Sequence, residues 1–167
     1  MSHFFKNRFL AKLVIAMVTL PPVVLAQDNE CSAAGASDNL ARAQAFLNEN
    51  KTKAGVITTD SGLQYKVIKA GTGEARPRTR DWVSTHYTLT NLDGKKLDSS
   101  HDRHIPLQFK VTEVIAGWQE ALQLMTAGQQ IQLFVPPHLG YRCKGAPPNI
   151  GPNELLIFDM ELLAIVD

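Results

Sequence analysis

The sequence predicts an α+β domain in which an antiparallel sheet curls over one short helix. From Ser61 onward, short β-branched and aromatic runs alternate with turn residues, a pattern typical of antiparallel strands. One amphipathic stretch, residues 114–125, interrupts these runs, and no internal repeat is visible. A sheet and a helix that each carry one apolar face bury those faces against each other. We therefore expect a single core between the sheet and this helix.

The first 26 residues have the pattern of a secretory signal peptide. Three basic residues precede an apolar run at residues 13–20, and the segment ends on the small residue Ala26. The run is shorter than the ~20 residues that a spanning helix needs, so we expect cleavage after Ala26 and no stable membrane span. The protein is then exported. The periplasm is the expected location, with secretion or surface association as the alternatives.

Charge and cysteine content limit the partners and the redox state. The 167-residue chain has a formal net charge of +1, and loss of the three basic residues of the leader changes it to −2. The remaining chain has no excess of positive charge to indicate nucleic acid binding. An oxidising compartment favours pairing of Cys31 with Cys143. Two free thiols are the alternative, because the sequence does not supply the distance between them.

Residues 27–60 form a polar lead-in and a short helix. Residues 27–37 are small and polar, which predicts disorder. Ser37 or Asp38 can cap the helix that follows and that ends before Gly55. Its one weak apolar side consists of Leu40, Ala43 and Leu47. Such a helix is too weakly apolar to stand alone, so it packs on the domain, packs on a partner, or frays.

The strands of the main domain follow in order. They are predicted at residues 63–68, 82–90, 95–99, 107–111, 131–135 and 155–166, where β-branched, aromatic or alternating apolar residues occur. A tight turn at Asp93 and Gly94 joins the second strand to the third. Residues 136–153 contain five prolines and three glycines, which predicts a long loop. Long loops in compact domains are often functional.

The amphipathic stretch has an unusual beginning. Its apolar stripe has helical spacing and consists of Trp118, Ala121, Leu122 and Met125. Gly128 follows as a stop signal. Val114, Ile115 and Gly117 precede the stripe, where a polar N-cap is usual. This apolar beginning predicts a lined pocket, and the alternative is that Trp118 is the centre of a small core.

Four segments of the chain resemble FKBP-type peptidyl-prolyl cis-trans isomerases over residues 61–167. They are HYTL at 86–89, DGKKLDSS at 93–100, VIAGWQEAL at 114–122 and PNELLIFDMELL at 152–163. Residues 45–67 resemble the junction of helix and domain in the exported macrophage-infectivity-potentiator branch of that family. That branch often carries a long helical dimerisation domain, whereas this chain has room for only about one helix.

The resemblance implies a half-barrel of antiparallel strands around one helix, with an apolar pocket for a prolyl ring. The catalytic residues would be Asp98, Tyr141 and Tyr87, and the substrate-binding residues would be Trp118, Ile115, Val114, Phe109, Phe158, Leu97, Leu107 and Ile150. Trp118 would form the floor, while the Ile115 amide and the Tyr141 hydroxyl would donate hydrogen bonds to substrate. The resemblance implies no cofactor and no metal.

The implied function is isomerisation of X–Pro bonds that assists the folding of exported proteins. The alternative is a holdase-type chaperone or peptide-binding module with little turnover. Rotation about an X–Pro bond opposes a barrier of ~18–20 kcal/mol without breaking a covalent bond, so an apolar site can catalyse it. Proline-containing polypeptides would be the partners, together with macrolides such as tacrolimus and rapamycin. From the residues alone, Asp98 is equally well explained as a turn-forming aspartate.

The chain departs from the family pattern in three ways. Leu97 and Leu107 stand where many members carry aromatic rings, which predicts weaker macrolide binding. The segment GYRCKG at 140–145 replaces the usual Ala-Tyr-Gly. If Cys143 is tied to Cys31, the N-terminal segment braces this loop. Gly151 replaces the first proline of a usual Pro-Pro pair, which loosens the loop near Ile150.

Overall fold

The computed structural model of the protein describes residues 31–166. The predicted signal peptide and the first residues of the predicted lead-in lie outside these described residues. The two helices are α1 (Ala36–Asn50) and α2 (Ala116–Leu124). The seven strands are β1 (Val56–Thr58), β2 (Gln64–Lys69), β3 (Trp82–Thr90), β4 (Lys96–Ser99), β5 (Leu107–Lys110), β6 (Gln130–Val135) and β7 (Leu156–Val166).

All seven strands form one antiparallel sheet, which confirms the predicted fold class. Its order is β1-β2-β6-β7-β3-β4, and β5 pairs with β3 as well. Strand β3 thus pairs with β7 along one edge and with β5 and then β4 along the other. Strand β1 was not predicted. It has only three residues, of which Ile57 is 47% exposed, so it shows no apolar alternation.

The core lies between α2 and one face of the sheet. The predicted stripe is the buried face of the helix, with Trp118, Ala121, Leu122 and Met125 at most 4% exposed. They pack against sheet residues such as Leu133 and Met160. A Cβ on Gly117 would lie 2.7 Å from Cγ1 of Val135, so the first turn of α2 needs glycine there. The helix ends at Leu124, four residues before Gly128, because Met125 has extended backbone angles.

Helix α1 packs on the domain, one of the three outcomes left open by its weak apolar side. Ala36 and Ala43 are fully buried, and the ring of Phe46 lies 5.6 Å from that of Phe134. The predicted N-cap at Ser37 or Asp38 is wrong. The helix begins at Ala36, after a left-handed Gly35 whose carbonyl accepts the first helical hydrogen bond, from the Asn39 amide.

The segment before α1 is attached to the long loop. Cys31 and Cys143 form a disulfide, and their Cα atoms are 5.4 Å apart, within the roughly 4.4–6.8 Å usual for disulfides. The disorder expected of residues 27–37 from their composition stays a prediction, and the disulfide is a covalent link that composition does not register. No helix within residues 31–166 is long and apolar enough to cross a membrane.

Candidate active site

A cavity of about 420 Å³ lies between the start of α2 and the concave face of the sheet. Its lining residues are Tyr87, Leu89, Asp98, Leu107, Glu113, Val114, Ile115, Trp118, Tyr141 and Phe158. Strand β3 supplies two of them because its residues alternate, which places Tyr87 and Leu89 on the core face. Phe158 lies opposite Leu89 in the pairing of β3 with β7. The apolar walls and few polar groups are typical of a small-ligand site.

Trp118 forms the floor of this cavity and is enclosed by three other rings. The ring of Tyr87 is 5.0 Å away, that of Phe158 is 5.1 Å away, and both stand edge-on to the indole. Phe109 lies behind at 5.5 Å. Edge-to-face contacts of this kind contribute about 0.5–1.5 kcal/mol each beyond burial. Trp118 therefore belongs to the core and to the cavity at once, so both interpretations of this residue apply.

Three predicted wall residues are not among the side chains that line the cavity. Phe109 and Ile150 are 6% and 8% exposed and belong to the core cluster. Leu97 packs against the same cluster from β4. Phe109 also contacts the floor directly, through the indole of Trp118. The substrate-binding role expected of these three residues stays a prediction.

A polar network closes one side of the cavity. The hydroxyl of Tyr87 donates a hydrogen bond to Oδ2 of Asp98. Nη1 of Arg103 donates to Oδ1 of Asp98 at 2.6 Å, and its Nη2 donates to the Tyr87 hydroxyl at 2.9 Å. The 3₁₀ turn His101–Arg103, directly after β4, brings the guanidinium back over the tyrosine ring. Asp98 is thus held in a three-membered network.

This network shifts the pKa values of its members. Burial alone would raise the pKa of Asp98, but hydrogen bonds from Tyr87, Arg103 and the Ser99 amide together lower it below its ordinary value of 3.8. Burial, and then the hydrogen bond to Asp98, raises the pKa of Tyr87 above 10.0. At neutral pH the aspartate is therefore ionised and the tyrosine protonated.

The apolar start of α2 leaves a backbone donor at the cavity. Ile115 is the N-cap residue, and its side chain makes no capping hydrogen bond. Its amide donates none of the turn, loop and cap hydrogen bonds found among the described residues. The Val114 carbonyl, in contrast, accepts a hydrogen bond from Nε2 of Gln119 at 2.7 Å. A substrate carbonyl in the cavity would find the Ile115 amide available.

Tyr141 reaches the cavity from the long loop. It is 38% exposed, so little packing holds its ring. The loop contains two short 3₁₀ turns, at Pro137–Leu139 and Arg142–Lys144, and is closed by a bridge between Ala146 and Ile150. Tyr141 and Trp118 both line the cavity, and the role of the Tyr141 hydroxyl as a donor to substrate stays a prediction.

Three residues of the site were not predicted. Leu89 lines the cavity two positions after Tyr87, and strand alternation could have identified it. Glu113 lies at the mouth, directly before Val114. Arg103 gives no signal in the sequence, because its role depends on how the turn after β4 folds back.

A second cavity, of about 260 Å³, lies on the opposite face of the sheet. The rings of His86 and His101 stack there with centroids 4.5 Å apart, near Asp159 and Glu161. His86 thus points away from the first cavity, because neighbouring residues of a strand face opposite sides of the sheet. Within residues 31–166, no group of three or more histidine, cysteine or acidic side chains has the geometry to hold a metal ion.

Comparison with known proteins gives two family matches. The family model described as FKBP-type peptidyl-prolyl cis-trans isomerase matches residues 73–163. The model described as the domain amino terminal to FKBP-type peptidyl-prolyl isomerase matches residues 15–67.

Relatives of known sequence match most of this chain. The outer membrane protein MIP of Legionella longbeachae is 47% identical over 130 residues, which are 78% of this chain and 55% of that protein. The FKBP-type isomerase FkpA of Aeromonas hydrophila is 47% identical over 130 residues, which are 78% of this chain and 48% of that protein. The chain spans about half the length of these curated relatives.

Solved structures show the same fold. FkpA from Escherichia coli superposes with a TM-score of 0.74 at 41% identity, covering 78% of this chain and 60% of that one. A peptidyl-prolyl cis-trans isomerase from Pseudomonas syringae superposes with a TM-score of 0.74 at 31% identity, covering 81% of this chain and 99% of that one.

An antiparallel sheet wrapped around one helix, with an aromatic-floored cavity between them, defines the FKBP-like class of α+β domains. This chain belongs to the FKBP-type peptidyl-prolyl cis-trans isomerase family. Its similarity to MIP and FkpA confirms the macrophage-infectivity-potentiator-like branch predicted from the motifs.

Proposed function

We propose that the protein is a peptidyl-prolyl cis-trans isomerase that acts on exported polypeptides. The observation that carries this proposal is the cavity floored by Trp118, in which an apolar floor is combined with the Ile115 amide and the Tyr141 hydroxyl as donors at its edge. A prolyl ring is a compact apolar group that fits such a floor. The carbonyl groups on either side of proline then meet the donors.

The chemistry needs only this arrangement. The planar amide is more polar than the twisted one, so a cavity that excludes water disfavours the planar ground state relative to the transition state. Donors that hold the twisted carbonyl add to the effect. Asp98 and Tyr87 orient the peptide electrostatically, with Arg103 fixing their positions. No nucleophile, proton transfer or cofactor takes part in the proposed reaction.

The substrates and the location follow from the same proposal. The signal peptide predicted at residues 1–26 sends the protein out of the cytoplasm, and the relative from Legionella longbeachae is described as an outer membrane protein. We propose a periplasmic protein whose clients are exported polypeptides with slowly isomerising X–Pro bonds. Such bonds take tens to hundreds of seconds to isomerise unaided, long enough to limit folding.

Macrolides such as tacrolimus and rapamycin are proposed as competing ligands of the same cavity. Leu107 on the cavity wall offers apolar surface but no ring edge, so we expect weaker binding than a ring there would give. Introducing a ring with Leu107→Phe is expected to strengthen inhibition of peptide turnover by tacrolimus. Unchanged inhibition would mean that the macrolide does not contact this wall.

The test is peptide turnover by the purified protein, measured beside suppression of aggregation of an unfolded protein. We expect faster isomerisation of a short X–Pro peptide, and inhibition by tacrolimus at the same cavity. Complete suppression of aggregation together with no peptide turnover would replace the proposal by the holdase alternative.

A further inference from the structure

The loop of residues 140–153 is attached to the N-terminal segment at three points. Cys143 forms the disulfide with Cys31. Nδ2 of Asn39 donates to the Pro152 carbonyl at 2.9 Å, and Nδ2 of Asn153 donates to the Ala36 carbonyl at 3.3 Å. Each contact joins residues that are more than 110 positions apart in the sequence. We call residues 140–153 the tethered loop.

The tethered loop carries part of the candidate active site. Tyr141 lines the cavity, and Ile150 supports it from the core. Residues 141–144 are exposed, so core packing does not hold the tyrosine. Its position depends on what fixes the backbone of the loop.

Hydrogen bonds inside the loop connect the attachment points to Tyr141. The Asn153 amide donates to the Arg142 carbonyl at 2.8 Å, and the Gly145 amide donates to the Tyr141 carbonyl at 3.1 Å. Cys143 lies two residues after Tyr141, and Asn153 is hydrogen-bonded to Arg142. A backbone displacement at either attachment point therefore acts no more than two residues from Tyr141. Arg142 has a φ of 51°, a conformation that its side chain disfavours and that the surroundings must therefore maintain.

We propose that Cys31 and Asn39, both outside the isomerase match at residues 73–163, are positioning residues of the active site. Through the tethered loop they hold the Tyr141 hydroxyl where it meets the substrate carbonyl. The N-terminal segment is thereby part of the catalytic unit of this chain. The inference rests on the proposed isomerase function.

The test compares variants of the attachment points with a matched control on the same helix. The double variant Cys31→Ser/Cys143→Ser removes the covalent point, and Asn39→Ala removes a hydrogen bond while the disulfide stays. Arg42→Ala is the control, because the Arg42 side chain donates its hydrogen bond to Asp93 at 2.5 Å, outside the tethered loop. Thermal unfolding confirms that each variant is folded at the assay temperature.

We expect kcat for an X–Pro peptide to fall about three- to tenfold in the cysteine variant, and less in Asn39→Ala, with KM unchanged, because the lost interaction acts in the transition state. Amide hydrogen exchange of Gly145, Ala146 and Ile150 is expected to speed up. Arg42→Ala is expected to match the wild type. In the Tyr141→Phe background, the cysteine substitutions should lower kcat little further, since the effects of substituting coupled residues are not additive.

Turnover by the wild-type protein tests the proposed function by itself. With an active wild type, unchanged kcat in the folded cysteine variant would overturn the positioning role. An equal loss with and without Tyr141→Phe would also overturn it, because the effect would then not act through Tyr141. Unchanged hydrogen exchange in the loop would overturn it whatever the activity.

Discussion

The ring of Tyr87 stands edge-on to the indole of Trp118, with centroids 5.0 Å apart and planes at 80°. The same tyrosine donates its hydroxyl to Asp98 at the cavity rim. One side chain therefore joins the apolar floor to the charged network. These two roles can be separated by a substitution that removes the hydroxyl and retains the ring.

Tyr87→Phe is expected to lower kcat/KM while leaving the fold intact. The variant keeps the edge contact with Trp118 and loses the hydrogen bond to the ionised Asp98. Hydrogen bonds to charged groups contribute about 1.5–3 kcal/mol to stability, and Arg103 still satisfies Asp98, so we expect a loss of stability at or below the lower end of that range. Because the hydroxyl no longer orients Asp98, we expect kcat/KM to fall about tenfold, which corresponds to ~1.4 kcal/mol in the barrier. Peptide turnover and urea unfolding measure the two effects. Unchanged turnover would show that the hydroxyl does not act in the reaction.

The two tryptophans provide a matched pair for the floor. Trp118→Ala is expected to destabilise the protein by about 3–5 kcal/mol, because Trp118 is 4% exposed and packs in the core. Trp82→Ala removes an indole that is 47% exposed, and we expect a change within about 0.5 kcal/mol. Urea unfolding of both variants measures the difference. An equal loss in the free energy of unfolding for the two variants would mean that Trp118 is not the centre of the core.

Gly117→Ala tests the close approach of α2 to β6. The added Cβ would meet Cγ1 of Val135 at 2.7 Å and its Cγ2 at 3.2 Å. Overpacking of this kind destabilises by about 1–3 kcal/mol. Gly73→Ala is the control, since its Cβ would meet the Ala127 Cβ at an ordinary 3.6 Å. A Gly117→Ala protein as stable as the control would show that the helix stands further from the strand.

The Asp98 network predicts a flat pH profile. The pKa of Asp98 in the folded protein lies below 3.8. Its contribution to the stability of the fold is therefore complete above that pH and is lost as the pH falls through the folded pKa. Because the pKa of Tyr87 is raised above 10.0, its contribution to the stability of the fold is complete below that pH and is lost as the pH rises through the folded pKa.

We expect kcat/KM to be constant between roughly pH 5 and pH 9, because neither group titrates in that range. Asp98→Asn should differ from the wild type in stability above pH 3.8 and converge with it in stronger acid. An acid limb of activity near pH 6 would contradict this account.

Much of the site follows from strand and helix periodicity. The stripe from Trp118 to Met125 is buried as its spacing predicts, and alternation in β3 could have placed Leu89 beside Tyr87, because period alone decides which face is buried. The family motifs predicted Tyr141 beside this floor from a loop that has no period. The α+β class followed from the alternation of short strands with one helix.

The remaining features depend on contacts distant in sequence. Arg103 reaches Asp98 only because a 3₁₀ turn reverses the chain after β4. Leu97 packs against the core cluster and is not among the side chains that line the cavity, a distinction that depends on neighbours distant in sequence. Helix α1 begins earlier than its polar residues indicate, next to the segment that carries Cys31.

Exchange between the cis and trans forms of a short X–Pro peptide, followed by NMR with the purified protein, tests the central claim most directly. We predict exchange far faster than the tens to hundreds of seconds of the free peptide, strongly slowed by Asp98→Ala combined with Tyr141→Phe. Exchange at the uncatalysed rate with folded wild-type protein would contradict the claim, as would a double variant as active as the wild type.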